Sequence, residues 1–287
     1  MMIRLDAATV LLQWATGGLL FLWVTTRRRE VGIGYGWLLR GVYLVMAVGA
    51  AAIGARTGHP SAVRDLASAL TATATAVALG VSIARRRSGV AGERARTVHR
   101  EARVAAMTGI DRVTTSTAAR TGAEFPPALD LIAPVIGGLG LLAAAHADGG
   151  PLALAAVRTL VGAAFLGAVS DAMLLGHWYL VQPGLGRQPL LELVRWVALT
   201  WPAEVAALLW PVGMVSVFTG RIDDGWGGTM GWFWAACALS TIVLCAVTRK
   251  ALEERAYSAV MAATGLLYLA ILTAFGTDLV ARAVLAA

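Results

Sequence analysis

Residues 152–182 read LALAAVRTLVGAAFLGAVSDAMLLGHWYLVQ. Across this stretch the only formally charged residues are Arg158 and Asp171. As a helix it is about 46 Å long at 1.5 Å per residue, more than the roughly 30 Å hydrocarbon layer of a bilayer. A run this long and this apolar predicts a membrane-spanning helix. Whether the rest of the chain reads the same way decides the fold.

It does. The 287 residues are 58% hydrophobic and 14% charged, with a mean hydropathy of +0.70. A soluble domain of this length needs far more polar surface, whereas long apolar runs divided by short charged stretches indicate a helical membrane protein. A membrane β-barrel would alternate apolar and polar residues with period two, and no such alternation is sustained here. Spans are predicted at about 8–25, 31–54, 62–84, 128–147, 152–182, 189–218, 229–248 and 256–284. The expected fold is all-α, a polytopic bundle of about eight transmembrane helices forming one membrane domain. Residues 1–84 hold helices one to three, residues 85–127 a basic loop, and residues 128–287 helices four to eight. The N-terminal apolar run has its arginines after it and lacks a small-residue cleavage site, so it reads as a retained first span.

Charge placement orients the bundle. With the N-terminus outside, sixteen Arg and Lys residues fall in inner segments and five (Arg4, Arg56, Arg64, Arg221, Arg282) in outer ones. This positive-inside bias predicts both termini outside and a multi-pass protein of the cytoplasmic membrane. It also accounts for the net charge of +7 without nucleic-acid binding. In the inner loop, Val98, Ala102, Ala105, Ala106, Ile110 and Val113 recur at helical spacing among arginines, the pattern of an amphipathic helix on an anionic leaflet. Cys237 and Cys245 are eight positions apart in one predicted helix, about 12 Å, too far for a disulfide.

Several ionisable residues fall inside the predicted spans, where they are costly and mark function by default. Asp171 lies mid-span, and an unpaired carboxylate there costs about 2.5–3.5 kcal/mol on insertion scales. His177 shares the helix but points about 240° away, so the two do not form a dyad on a straight helix. Trp178 and Tyr179 read as interfacial anchors before a QPGLG turn. Arg40 lies about 13 Å inside the second span and requires a partner, with Asp130, Asp171 and Glu204 available. Asp171 is the first partner to test. Glu192 and Arg195 are three apart and predict an intrahelical ion pair. Glu204 lies between Pro202 and Pro211, each able to kink the helix. Asp130 and Arg158 read as helix-end charges, and Asp130, like Glu192 and Arg195, is a candidate for a structural ion pair.

Metal and haem chemistry find little in the four histidines. His59 and His146 fall at the outer face, His99 in the inner loop and His177 in a span, and no H-E-x-x-H spacing occurs. No metal site is expected, and haem is a weaker expectation than quinone. GIGYG at 32–36 lacks the spacing of a nucleotide loop and fits close helix packing. The adjacent acids of GRIDDGWGG, 220–228, read as a solvated loop.

Three functions follow from these residues. The first is a subunit of a respiratory or other redox chain that binds quinone near the inner face through His177, Tyr179, Asp171, Arg40 and Glu204, alongside other membrane redox subunits. The second is a transporter or channel for a small ion or solute, lined by Arg40, Asp171 and Glu204. The third is a non-catalytic anchor or assembly subunit in which the buried charges pair with one another.

Overall fold

A computed structural model of the chain describes residues 6–57, 61–86, 123–148, 151–182, 185–210, 213–254 and 256–286, with residues 95, 98, 99 and 102. The amphipathic helix expected in the 85–127 loop lies largely outside the described residues, as does His59. The described elements are α1 (Ala7–Thr26), α2 (Ile33–Thr57), α3 (Ala62–Ala84), α4 (Ile132–Ala147), α5 (Leu152–Val181), α6 (Gln188–Leu209), α7 (Met214–Phe218), α8 (Thr229–Glu253) and α9 (Tyr257–Ala286). A 3₁₀ turn, Pro127–Leu131, leads into α4. Among the described residues, seven helices are long and apolar enough to cross a membrane, the turn and α4 counting as one. The chain is a polytopic helical membrane bundle.

The eighth long helix, α6, carries Glu192, Arg195 and Glu204 within its apolar pattern. It still runs the length of the bundle. Glu192 bonds Arg27 at the end of α1, and at its other end the carbonyl of Ala207 accepts from Arg158 of α5. The predicted span 189–218 is corrected here: α6 stops at Leu209, and α7 is a separate short helix. The cause is local. A residue before proline is pushed out of the helical region, and Trp210, before Pro211, has φ −126° and ψ 151°. Pro202 is accommodated inside α6.

Two helices form the centre. α1 packs against α2, α4 and α5, while α5 also packs against α6 and α9. Their backbones nearly touch: a Cβ on Gly17 would lie 1.7 Å from the Ala163 carbonyl oxygen, and one on Gly167 would lie 2.1 Å from the Gly17 carbonyl carbon. This is the small-residue packing through which membrane helices gain dispersion contacts without a hydrophobic driving force. Indole N–H groups join other helices. Trp14 donates to Ser170 Oγ at 2.8 Å, Trp201 to the Ala238 carbonyl at 2.8 Å and Trp234 to the Thr277 carbonyl at 2.9 Å. Such interhelical bonds contribute about 0.6 kcal/mol each on average. Large apolar side chains such as Val45, Leu139, Trp232 and Leu272 remain exposed on the outside of the bundle, as lipid contact requires.

Asp6 and Ala286 lie at the same end of the bundle, since Gln13 near the start of α1 donates to Asp278 near the end of α9. The opposite end carries Arg27, Arg28 and Arg29 and is called here the arginine-rich end. Cys237 and Cys245 are both free and buried in α8.

Candidate functional site

Buried charge is distributed over three levels of the bundle. Nearest the arginine-rich end, the 3₁₀ turn brings Asp130 under α2. Arg40 Nε donates to Asp130 Oδ1 at 2.8 Å and Nη2 to Oδ2 at 2.6 Å, the two-pronged geometry that suits guanidinium and carboxylate. Arg40 Nη1 reaches Ser82 Oγ at 3.3 Å, and the Phe125 ring lies 4.3 Å from its guanidinium carbon. All three guanidinium nitrogens are therefore engaged. A cavity of about 40 Å³ lined by Thr26, Arg29, Gly36, Arg40, Ser82 and Phe125 adjoins the pair.

This corrects the pairing tested first from sequence. Arg40 meets Asp130 rather than Asp171, because the turn before α4 packs against α1 and α3, the two helices that flank α2. Asp130 is a buried ion-pair partner, as its reading as an ion-pair candidate expected, and not a helix-end charge. The expected Glu192–Arg195 pair is also replaced. Glu192 turns to Arg27 at 2.5 Å and Arg28 at 3.3 Å, while Arg195 is exposed.

At the middle level stands Asp171 of α5, with none of its surface exposed. Tyr43 of α2 donates its hydroxyl to Asp171 Oδ1. The ring of Tyr43 is placed by Gly18, where a Cβ would lie 1.9 Å from Tyr43 Cζ. The other carboxyl oxygen, Oδ2, has no hydrogen-bond partner among the described residues. The Tyr35 hydroxyl lies 3.5 Å from the Asp171 carbonyl oxygen. Tyr179 is the next ionisable neighbour of Tyr35, toward the arginine-rich end. It is buried and donates to the Gly186 carbonyl, closing the turn after α5. Its expected role as a lipid-interface anchor is thus corrected, because the returning chain covers it.

The third level, toward the termini, was largely missed in the sequence. Arg282 donates through Nε to both oxygens of Asp278, at 2.9 and 2.8 Å. Gln13 Nε2 reaches Asp278 Oδ1 at 3.3 Å. Arg158, also expected at a helix end, is fully buried and donates to the carbonyls of Ala207 at 2.8 Å and Trp210 at 3.3 Å. These carbonyls close the last turn of α6, where a helix leaves acceptors without intrahelical donors. Glu204 is fully buried within electrostatic reach of Asp278, Arg282 and Arg158. Neither of its carboxyl oxygens meets the distance and angle of a hydrogen bond among the described residues. Gly162 makes room for the group, since a Cβ there would lie 2.5 Å from Gln13 Nε2 and 2.8 Å from Asp278 Oδ1. The i, i+4 spacing of Asp278 and Arg282 was the available signal, masked because Arg282 reads as an end residue.

The sequence-predicted residues are therefore not one site. Arg40 and Asp130 pair at one level, Asp171 stands at the second and Glu204 at the third. His177 points elsewhere: it is exposed, and its Nδ1 lies 3.2 Å from the Tyr268 hydroxyl on α9. Among the described residues, no group of three or more His, Cys, Asp or Glu side chains is placed to hold a metal ion.

Outside the spans, two acids do structural work. Asp6 caps α1, accepting from Thr9 N at 3.1 Å and Thr9 Oγ1 at 2.8 Å, and it bonds Arg64 of α3. Burial pushes its carboxyl up, but the Thr9 hydroxyl, Arg64 and the backbone N–H groups outweigh that and hold it below its ordinary value. Arg64, read from sequence as an outer-loop charge, is buried between Asp6 and Asp65. In the 220–228 loop, Asp224 accepts from the backbone N–H groups of Gly228 at 2.8 Å, Trp226 at 2.9 Å and Met230 at 2.9 Å. These bonds, that of Gly228 most of all, lower its carboxyl below the ordinary value.

No protein-family model, no curated protein and no solved structure matches this chain.

Proposed function

We propose that this protein moves protons across the cytoplasmic membrane, with Asp171 as the mid-membrane proton site and Glu204 beside Asp278 as the site near the termini. One observation carries the reading. Asp171 is a fully buried carboxyl whose single side-chain bond is to a tyrosine hydroxyl, and no described cation is paired with it. Buried acids in membrane bundles either pair with a cation or serve proton and ion pathways. Arg40, the cation nearest in the sequence reading, is committed to Asp130.

Tyr43, bonded to the Asp171 carboxyl, and Tyr35, whose hydroxyl faces the Asp171 carbonyl, line the side of Asp171 toward the arginine-rich end. Toward the termini, Asp171 lies thirteen residues, about 20 Å, along α5 from Arg158. Between the two levels the Gly17–Gly167 contact closes α1 onto α5, so passage along that seam requires the two helices to part. In this reading the arginine-rich end faces the cytoplasm, which the arginine bias supports.

The test uses liposomes holding purified protein and a trapped pH dye, with a valinomycin-set potassium potential driving protons inward. Protein-dependent acidification is expected, falling at least about tenfold in Asp171→Asn and in Glu204→Gln. Its absence in the wild type, or full retention in both variants, overturns the reading.

A second reading keeps the quinone and has its own observation. His177 and Tyr268 present a hydrogen-bonding pair on the exposed face of α5 and α9. Stoichiometric quinone in solvent extracts of the purified protein, reduced in His177→Ala, would favour it and a redox partner in the membrane.

A further inference from the structure

At the arginine-rich end, α6 presents Gln188, Leu191, Glu192, Arg195, Trp196 and Leu199 at spacings of three and four, a single stripe on one face. The stripe changes character along its length. Its first two turns carry Gln188, Glu192 and Arg195 beside Leu191, and the exposed Trp196 and Leu199 continue it along the helix. α8 approaches with Arg249 and Glu253 one turn apart, and Arg28 closes the third side from the end of α1. Together they bound a cleft of about 700 Å³. Its charged rim lies near the ends of α1 and α8 and the start of α6, and its apolar wall, Trp196 and Leu199, lies further along α6. Trp196 packs edge-on against Phe21 at 5.8 Å between ring centroids, which keeps the indole in place along the wall.

The charges at the rim are unevenly satisfied. Glu192 is held by Arg27 and Arg28. Arg195 and Arg249 are exposed and form no ion pair among the described residues. Two free guanidinium groups against the single remaining carboxylate, Glu253, leave the cleft with a positive surplus. A guanidinium fork suits phosphate oxygens, and basic pockets between membrane helices on the cytoplasmic side hold anionic head groups. The volume is within the range of ligand clefts. An amphiphile with one anionic end and one apolar end matches both the charge and its change with depth.

We infer that the cleft between α6 and α8 is a binding site for an anionic phospholipid, its phosphate held by Arg195 and Arg249 and its acyl chain lying along Trp196 and Leu199. The occupant is taken from the lipid leaflet itself. The site is separate from the buried acids, so it stands whether or not the protein moves protons.

Trp196 provides the readout. Protein is placed in phosphatidylcholine nanodiscs doped with either chain-brominated phosphatidylglycerol or chain-brominated phosphatidylcholine at equal mole fraction. Subtracting the fluorescence of Trp196→Phe isolates Trp196 from the other tryptophans. Brominated phosphatidylglycerol is expected to quench Trp196 at least about threefold more effectively than brominated phosphatidylcholine. The preference should fall to parity in Arg195→Gln/Arg249→Gln and persist in Arg195→Lys/Arg249→Lys, which keeps the charge. Equal quenching by both lipids in the wild type overturns the inference. So does a preference unchanged in the glutamine variant, or an indole that neither lipid quenches because a protein copy covers the cleft.

Discussion

Arg40 and Asp171 are both charged side chain types buried in the interior of the same bundle, held in opposite ways. Arg40 has a carboxylate, a serine hydroxyl and an aromatic ring around it, and every guanidinium nitrogen is engaged. Asp171 has one phenol and an oxygen without a hydrogen-bond partner among the described residues. The contrast separates two uses of charge in a membrane. A fully bonded pair fixes which helices meet. A carboxyl with spare capacity and a mobile-proton donor beside it is equipped to take up and release a proton.

The largest effect is expected where the pairing is complete. Breaking one side of a buried ion pair leaves an uncompensated charge, so Arg40→Met or Asp130→Asn should lose about 3–5 kcal/mol in detergent unfolding. Replacing both, as Arg40→Met/Asp130→Leu, should recover most of that loss, since apolar substitutes for a buried pair are often neutral or stabilising. Additive losses would show that the two side chains do not act as a pair.

Next comes the support of Tyr43. Gly18→Ala places a methyl group against the tyrosine ring, and overpacking of this kind costs about 1–3 kcal/mol. It should also weaken the Tyr43–Asp171 bond and lower proton flux, which separates it from a variant that merely unfolds part of the population. Smaller still is the stability change in Asp171→Asn, expected within about 1 kcal/mol because the amide oxygen still accepts from Tyr43 and no cation loses a partner. A loss as large as that of Arg40→Met would mean that Asp171 has a charged partner after all.

The smallest effect is at the surface and depends on pH. The Asp224 carboxyl is lowered by the backbone bonds from Gly228, Trp226 and Met230, so its contribution is present above the ordinary aspartate value of about 3.9. It is lost as pH falls through the lower folded value. The amide chemical shifts of Trp226, Gly228 and Met230 should titrate with a midpoint below 3.9, the unfolded reference. In Asp224→Asn that titration should disappear.

Local signals made much of the fold legible. Hydropathy gave 62–84 and 152–182 almost to the residue, against the observed Ala62–Ala84 and Leu152–Val181, because a run of apolar side chains is a property of one segment. The end of α6 depended on Pro211, which is also local, yet hydropathy alone ran the span through it. Partnership was not legible. Arg40 had three acids to choose from, and the choice rests on the turn before α4 packing against α1 and α3, the helices that flank α2, which no single segment encodes. Tyr43 attracted no attention because a tyrosine among apolar residues fits a lipid-facing or core role equally well. Arg282 and Asp278 were visible as an i, i+4 pair, but their position near the chain end disguised their burial.

The most direct test of the central distinction compares proton flux in liposomes across three proteins at equal folded amounts: wild type, Asp171→Asn and Arg40→Met/Asp130→Leu. Flux is expected in the wild type, with near-complete loss in Asp171→Asn and retention in Arg40→Met/Asp130→Leu. Flux that survives in Asp171→Asn and vanishes in Arg40→Met/Asp130→Leu would contradict that expectation.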